Sequence, residues 1–143
     1  KLRHTMTPTE RYTPPICQDY NVDHFDGVAL SLFEVFRANL MATRQPIIEN
    51  KTFTGCVIEG PAILLALAGV NFDGCNLGVR GDDPRSLLVM PMAKNRVTGA
   101  IGVRNCLFKD CTFFAVGYTG PDAFIDQMIQ VLDASAKTRD AGE

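Results

Sequence analysis

Lys51-Thr52-Phe53-Thr54-Gly55-Cys56-Val57-Ile58, Val70-Asn71-Phe72-Asp73-Gly74-Cys75-Asn76-Leu77 and Cys106-Leu107-Phe108-Lys109-Asp110-Cys111-Thr112-Phe113 are three versions of one phrase. Each holds Phe, two small or polar residues, Cys, one further residue and a large apolar side chain. Phe53 and Phe72 stand 19 positions apart, and Phe72 and Phe108 stand 36 apart, close to twice that period. A segment this short cannot bury its inward side chains alone, so the repetition points to one segment stacking on the next. At a strand spacing of ~4.8 Å, Phe stands on Phe and Cys on Cys. Gly55, Gly74 and Asp110 fall where the chain must bend, and Gly and Asp tolerate the left-handed backbone of bends. The expectation is a small solenoid of parallel β-coils from about Ile47 to Val116. One coil is irregular, near Leu87 to Met92, where the phrase is lost.

The flanks read differently. Residues 1–22 are rich in Thr, Pro and charge and are expected as an extended arm. Val28, Leu32, Val35, Phe36 and Leu40 fall at helical spacing, with Ala29 and Phe33 widening the face. This predicts a helix from about Gly27 to Met41, capped by Asp23 or Asp26 and ended before Pro46. Near the C-terminus, Pro121 and Asp122 open a second helix to about Ala136, with Phe124, Ile125, Met128, Ile129 and Leu132 on one face. Residues 137–143 form a frayed polar tail. One domain, 23–136, lies between arm and tail.

The pentad rhythm of the three phrases is also informative. Lys51 to Gly60 reads KTFTG-CVIEG, Val70 to Val79 reads VNFDG-CNLGV, and Cys106 to Ala115 reads CLFKD-CTFFA. Over these three pieces, about thirty residues, the chain resembles the pentapeptide-repeat family. The resemblance implies a mainly β fold, a short right-handed parallel β-helix of about three or four coils, here flanked by an N-terminal and a C-terminal α-helix. Some members of that family imitate DNA and inhibit topoisomerases. Such mimicry needs a strongly acidic surface, and a net charge of −2 counts against it here.

Composition narrows function by exclusion. The 14 basic and 16 acidic residues leave no strong positive field for nucleic acid. No apolar run is long enough for a membrane span. The chain begins at Lys1 without an initiator Met, which leaves room for a removed leader or anchor. The five cysteines, Cys17, Cys56, Cys75, Cys106 and Cys111, match no zinc spacing and read as buried free thiols in a reducing, cytoplasmic setting. His4 lies in the arm and His24 beside a helix start, so no histidine base serves the coils. Ile101–Leu107 resembles one hexapeptide of the acyltransferase solenoids, which use such a base, but the phrase does not continue. No catalytic residue, metal site or cofactor is expected. Gly78-Val79-Arg80-Gly81 and Gly99-Ala100-Ile101-Gly102 match no phosphate-binding loop, and Arg80-Gly81-Asp82 reads as a chance copy of the adhesion tripeptide.

The one charged cluster lies in loops 80–86 and 94–96. Arg80, Asp82, Asp83, Arg85, Lys94 and Arg96 share a rim if coils run about 18 residues each. Such a rim is either a solvated set of salt bridges or a site for an anionic small molecule. Two functions follow as expectations. The first is a non-enzymatic scaffold or protein-interaction module, self-associating through its coil faces or its Phe33–Phe36 helix. The second is a small-molecule binding protein or enzyme that uses the charged rim.

Overall fold

The structure, a computed structural model, describes residues 14–78, 84–91 and 97–141. In chain order its elements are β1 (His24–Asp26), β2 (Ala29–Ser31), α1 (Leu32–Thr43), β3 (Ile48–Glu49), β4 (Thr52–Thr54), β5 (Val57–Ala66), β6 (Val70–Asp73), β7 (Ile101–Arg104), β8 (Cys106–Lys109), β9 (Thr112–Thr119) and α2 (Asp122–Ala141). A 3-10 turn, Pro84–Leu87, falls between β6 and β7.

These elements correct the expected fold class. Helices of 12 and 20 residues stand beside the strands, so the fold is α/β and not mainly β. The strands form two parallel sheets, ordered β1-β4-β8-β6 and β2-β5-β7-β3, with β9 also on β5. The order is not that of a right-handed β-helix wound coil after coil, because β8 lies between β4 and β6. The physical reason lies in the second sheet. β5 and β9 are the long apolar strands, paired from Val57↔Thr112 to Leu65↔Thr119. Only Gly55 and Cys56 join β4 to β5, and only Asp110 and Cys111 join β8 to β9. Once β9 lies on β5, β8 must lie on β4, and β6 takes the outer side of β8.

The first sheet contributes the ring stack of a core that the second sheet shares through Ile58, Leu64, Val103 and Tyr118. Phe25, Phe53, Phe108 and Phe72 stack face to face, with centroids 5.0, 4.7 and 5.2 Å apart and planes within 13° of parallel. Phe113 and Tyr118 meet the stack edge-on. Each ring pair contributes ~0.5–1.5 kcal/mol beyond its burial. Phe25 is a rung that the sequence phrase did not disclose. Phe25-Asp26-Gly27-Val28-Ala29-Leu30 copies the phrase with Val28 in place of Cys, and β1 and β2 pair in register with β4 and β5.

That rung shortens the first helix. Ala29–Ser31 is strand, so α1 begins at Leu32 and not at Gly27. Its N-cap is Ser31, whose Oγ accepts from the Glu34 N–H at 3.4 Å, in place of Asp23 or Asp26. The arm is likewise tighter than expected where it is described. Pro15 C=O accepts from Ala29 N–H at 2.8 Å, and Cys17 N–H donates to Ala29 C=O at 2.9 Å. Residues 1–13 lie outside the described residues. The irregular coil near Leu87 is the 3-10 turn followed by a single bridge, Leu88 to Tyr118. α2 starts after Pro121 as its sequence directs, runs past Ala136 to Ala141, and buries Ile125, Met128 and Leu132.

Candidate functional site

Two features of the fold offer chemistry or contact: the outer face of α1 and a column of thiols. Leu32, Val35 and Asn39 turn α1 onto the sheet. Asn39 is buried, and its amide donates to the Ile47 carbonyl, which fastens the helix to the strand that follows. Thr43 Oγ1 donates to the Asn39 carbonyl at 2.8 Å. Arg44 ends the helix in the left-handed conformation, φ 64°, its N–H donating to Leu40 C=O.

A second apolar stripe is left over on the same helix. Phe33, Phe36, Leu40 and Met41 recur at i, i+3, i+7 and i+8, the spacing of a buried helix face, although Phe36 itself packs against the edge of the core. Yet Phe33 is 51% exposed and Met41 73%. Phe33 and Phe36 lean together with centroids 6.1 Å apart. Beside them, Leu40, Met41 and Arg44 line a hollow of about 490 Å³. Charge flanks and interrupts the stripe: Glu34 in the first turn pairs with Arg37 at 3.4 Å, Arg37 stands one turn from both Phe33 and Met41, and Arg44 is at the C-cap. Helical periodicity alone places Phe33 at the margin of the inward face. Its exposure follows from the later start of the helix and from twelve residues carrying two apolar stripes.

The thiols stand in register. Val57 pairs with Thr112, and Asn76 bridges to Thr112, so Cys56, Cys111 and Cys75 occupy one column. Each sulfur reaches the carbonyl of the phenylalanine on the neighbouring rung: Cys56 to Phe25 at 3.4 Å, Cys111 to Phe53 at 3.3 Å and Cys75 to Phe108 at 3.1 Å. Cys111 stands between Cys56 and Cys75, and sharing of its proton with them holds Cys111 protonated far above the ordinary thiol value and lowers the two neighbours, Cys75 to about 7. One Cys111 proton supports one neighbouring thiolate at a time. Cys17 and Cys106 are instead pushed up by burial. All five cysteines are free.

Of the six charged residues expected to form a rim, only Arg85 is described, on the exposed side of the 3-10 turn. Arg80, Asp82, Asp83, Lys94 and Arg96 lie outside the described residues. Next to Arg85, Ser86 and Leu87 join Gly78 and Phe114–Gly117 around a groove of about 340 Å³. Its walls are mainly hydrocarbon and main chain. Elsewhere, Arg104 pairs with Glu49 at 2.9 Å and Lys51 with Asp23 at 3.1 Å. Among the described residues, no group of three or more His, Cys, Asp and Glu is arranged to hold a metal ion. No helix among them is long and apolar enough to cross a membrane.

No family model matches this chain, and no curated protein or solved structure matches it either.

Proposed function

We propose that this protein is a non-enzymatic interaction module that self-associates through the outer stripe of α1, with a second copy as the occupant. The observation that carries this reading is the exposure of Phe33 and Met41 on a helix whose other face is already buried. Phe33 and Met41, two turns apart with the Arg37 stem between them, offer exposed hydrocarbon that a partner helix covers. Symmetry favours a second copy: in an antiparallel pair about a two-fold axis the same patch serves both chains, and Arg44 of one chain comes to the Glu34–Arg37 end of the other. A helix of 12 residues is about 18 Å long, so the face is small and the pairing is weak and concentration-dependent. Five free thiols suit a reducing, cytoplasmic setting.

Light scattering on a sizing column tests the proposal. The wild type is expected at twice the mass of the single chain at high concentration. The double variant Phe33→Asp, Met41→Asp changes only exposed positions and is expected at the single-chain mass with an unchanged circular dichroism spectrum. A wild type that stays at the single-chain mass up to millimolar concentration would overturn it.

A further inference from the structure

The thiol column has an inner end and an outer end. Cys56 is 1% exposed and Cys111 also 1%, whereas Cys75 is only partly buried on the outermost strand side. Cys75 follows β6, which ends its sheet, so nothing in that sheet pairs beyond it among the described residues. Cys111 is therefore flanked by one sulfur sealed in the core and one that solvent reaches. Neighbouring strand positions lie ~4.8 Å apart, inside the ~4.4–6.8 Å range of Cα separations that a disulfide spans. Cys75 is also the freer of the two to adjust, being on the edge of the sheet. We propose that Cys75 and Cys111 form a peroxide-responsive dithiol, with Cys75 as the attacking thiol and Cys111 as the resolving one.

The chemistry balances with a hydroperoxide as the oxidant. The Cys75 thiolate attacks the terminal peroxide oxygen and the O–O bond breaks. The alkoxide or hydroxide that leaves takes up the thiol's proton, and Cys75 becomes a sulfenic acid. The Cys111 sulfur then attacks the Cys75 sulfur. The S–O bond breaks, hydroxide leaves as water with the Cys111 proton, and the S–S bond forms. Two thiols lose two electrons, and one hydroperoxide is reduced to water and an alcohol, or to two waters. Hydrogen bonding from Cys111 favours the Cys75 thiolate. The groups that face Cys75 are Asp110, whose charge opposes that thiolate and whose carboxylate sits over Gly74, and the buried Tyr118 hydroxyl. Cys106 stays out of the reaction because it is buried and hydrogen-bonds the Ile48 and Arg104 carbonyls.

The test treats the wild-type protein with equimolar hydrogen peroxide at neutral pH and maps its peptides by mass spectrometry. The expected product has lost two hydrogens and carries a Cys75–Cys111 link within one chain. Cys56→Ser forms the same link. Cys111→Ser stops at a Cys75 sulfenic acid that dimedone traps. A Cys56–Cys111 link, a link between chains, or Cys75 oxidising no faster than Cys106 in the wild type would each overturn the proposal.

Discussion

Gly60 sits where β5 and β9 slip by one residue, between the pairs Glu59↔Phe114 and Ala62↔Val116. The Ala115 carbonyl crosses directly over it, and a Cβ on Gly60 would lie 1.9 Å from that oxygen. Backbone on both sides leaves nothing flexible to move. Gly27 gives the contrast: its φ is +64°, but a Cβ there meets open space. Gly60→Ala is expected to cost about 2–4 kcal/mol through overpacking, and Gly27→Ala about 1–2 kcal/mol through left-handed strain alone. Urea denaturation of the two variants decides; an equal or larger loss at Gly27 contradicts the crossing at Ala115. Tyr118 offers a second test at this scale. Its buried hydroxyl donates to the Leu77 carbonyl at 2.9 Å, and burial holds the phenol well above its ordinary value of 10.0. A group with a raised folded pKa adds stability that is complete below its unfolded pKa and lost as pH rises from there toward the folded one. Stability should fall as pH passes about 10. Tyr118→Phe should lose about 1 kcal/mol at pH 7 and show a shallower decline between about pH 9.5 and 11. Cys17 and Cys106 add their own alkaline loss to both proteins, so the readout is the difference between the two urea-midpoint profiles. Parallel profiles would rule out Tyr118 as a source of the alkaline loss.

At the scale of elements, the phenylalanine stack is the feature most legible in the sequence. The phrase around Phe53, Phe72 and Phe108 put the rings, the bends and the thiols in the right places. Gly55, Gly74 and Asp110 do turn left-handed, at φ 62°, 66° and 55°. The rung at Phe25 was hidden because Val28 replaces the cysteine and because Val28, Leu32 and Val35 continue with helical spacing. Local periodicity could not separate a strand running into a helix from a helix alone. Strand order was hidden for another reason. Each phrase presents the same ring and thiol to its neighbour, so any two rungs fit together. Position in the stack should now set the energetic cost of losing a ring. Phe108 is wholly buried with rings on both faces, while Phe72 is at the end and partly exposed. Phe108→Ala is expected to cost ~3–5 kcal/mol and Phe72→Ala clearly less. Chemical denaturation giving equal losses would argue against β8 lying inside β6.

The whole molecule joins a well-sealed core to a helix with an unsealed face. Of the candidate site, the sequence carried the helix and its aromatic pair, but not which way Phe33 points, because that depends on where Ser31 lets the helix begin. The charged residues at 80–96 lie mostly outside the described residues, and the groove beside Arg85 is lined mainly by hydrocarbon. The proposed pairing of the unsealed face has a thermodynamic consequence. A partner that binds only the folded chain raises apparent stability by mass action, so the melting temperature of a self-associating protein climbs with its own concentration. For a domain of this size, ~1 kcal/mol of added stability moves Tm by about 2–4 °C. A hundredfold increase in concentration across the micromolar range should therefore raise the wild-type Tm by about 2–6 °C. The Phe33→Asp, Met41→Asp variant should melt at one temperature throughout that range, because it keeps the inward face of Leu32, Val35 and Asn39 and loses only the outer stripe. A wild type with a flat Tm would remove the association. A double variant with the same slope as wild type would leave the association standing but move it to another face, and the second stripe of α1 would then have no partner to account for it.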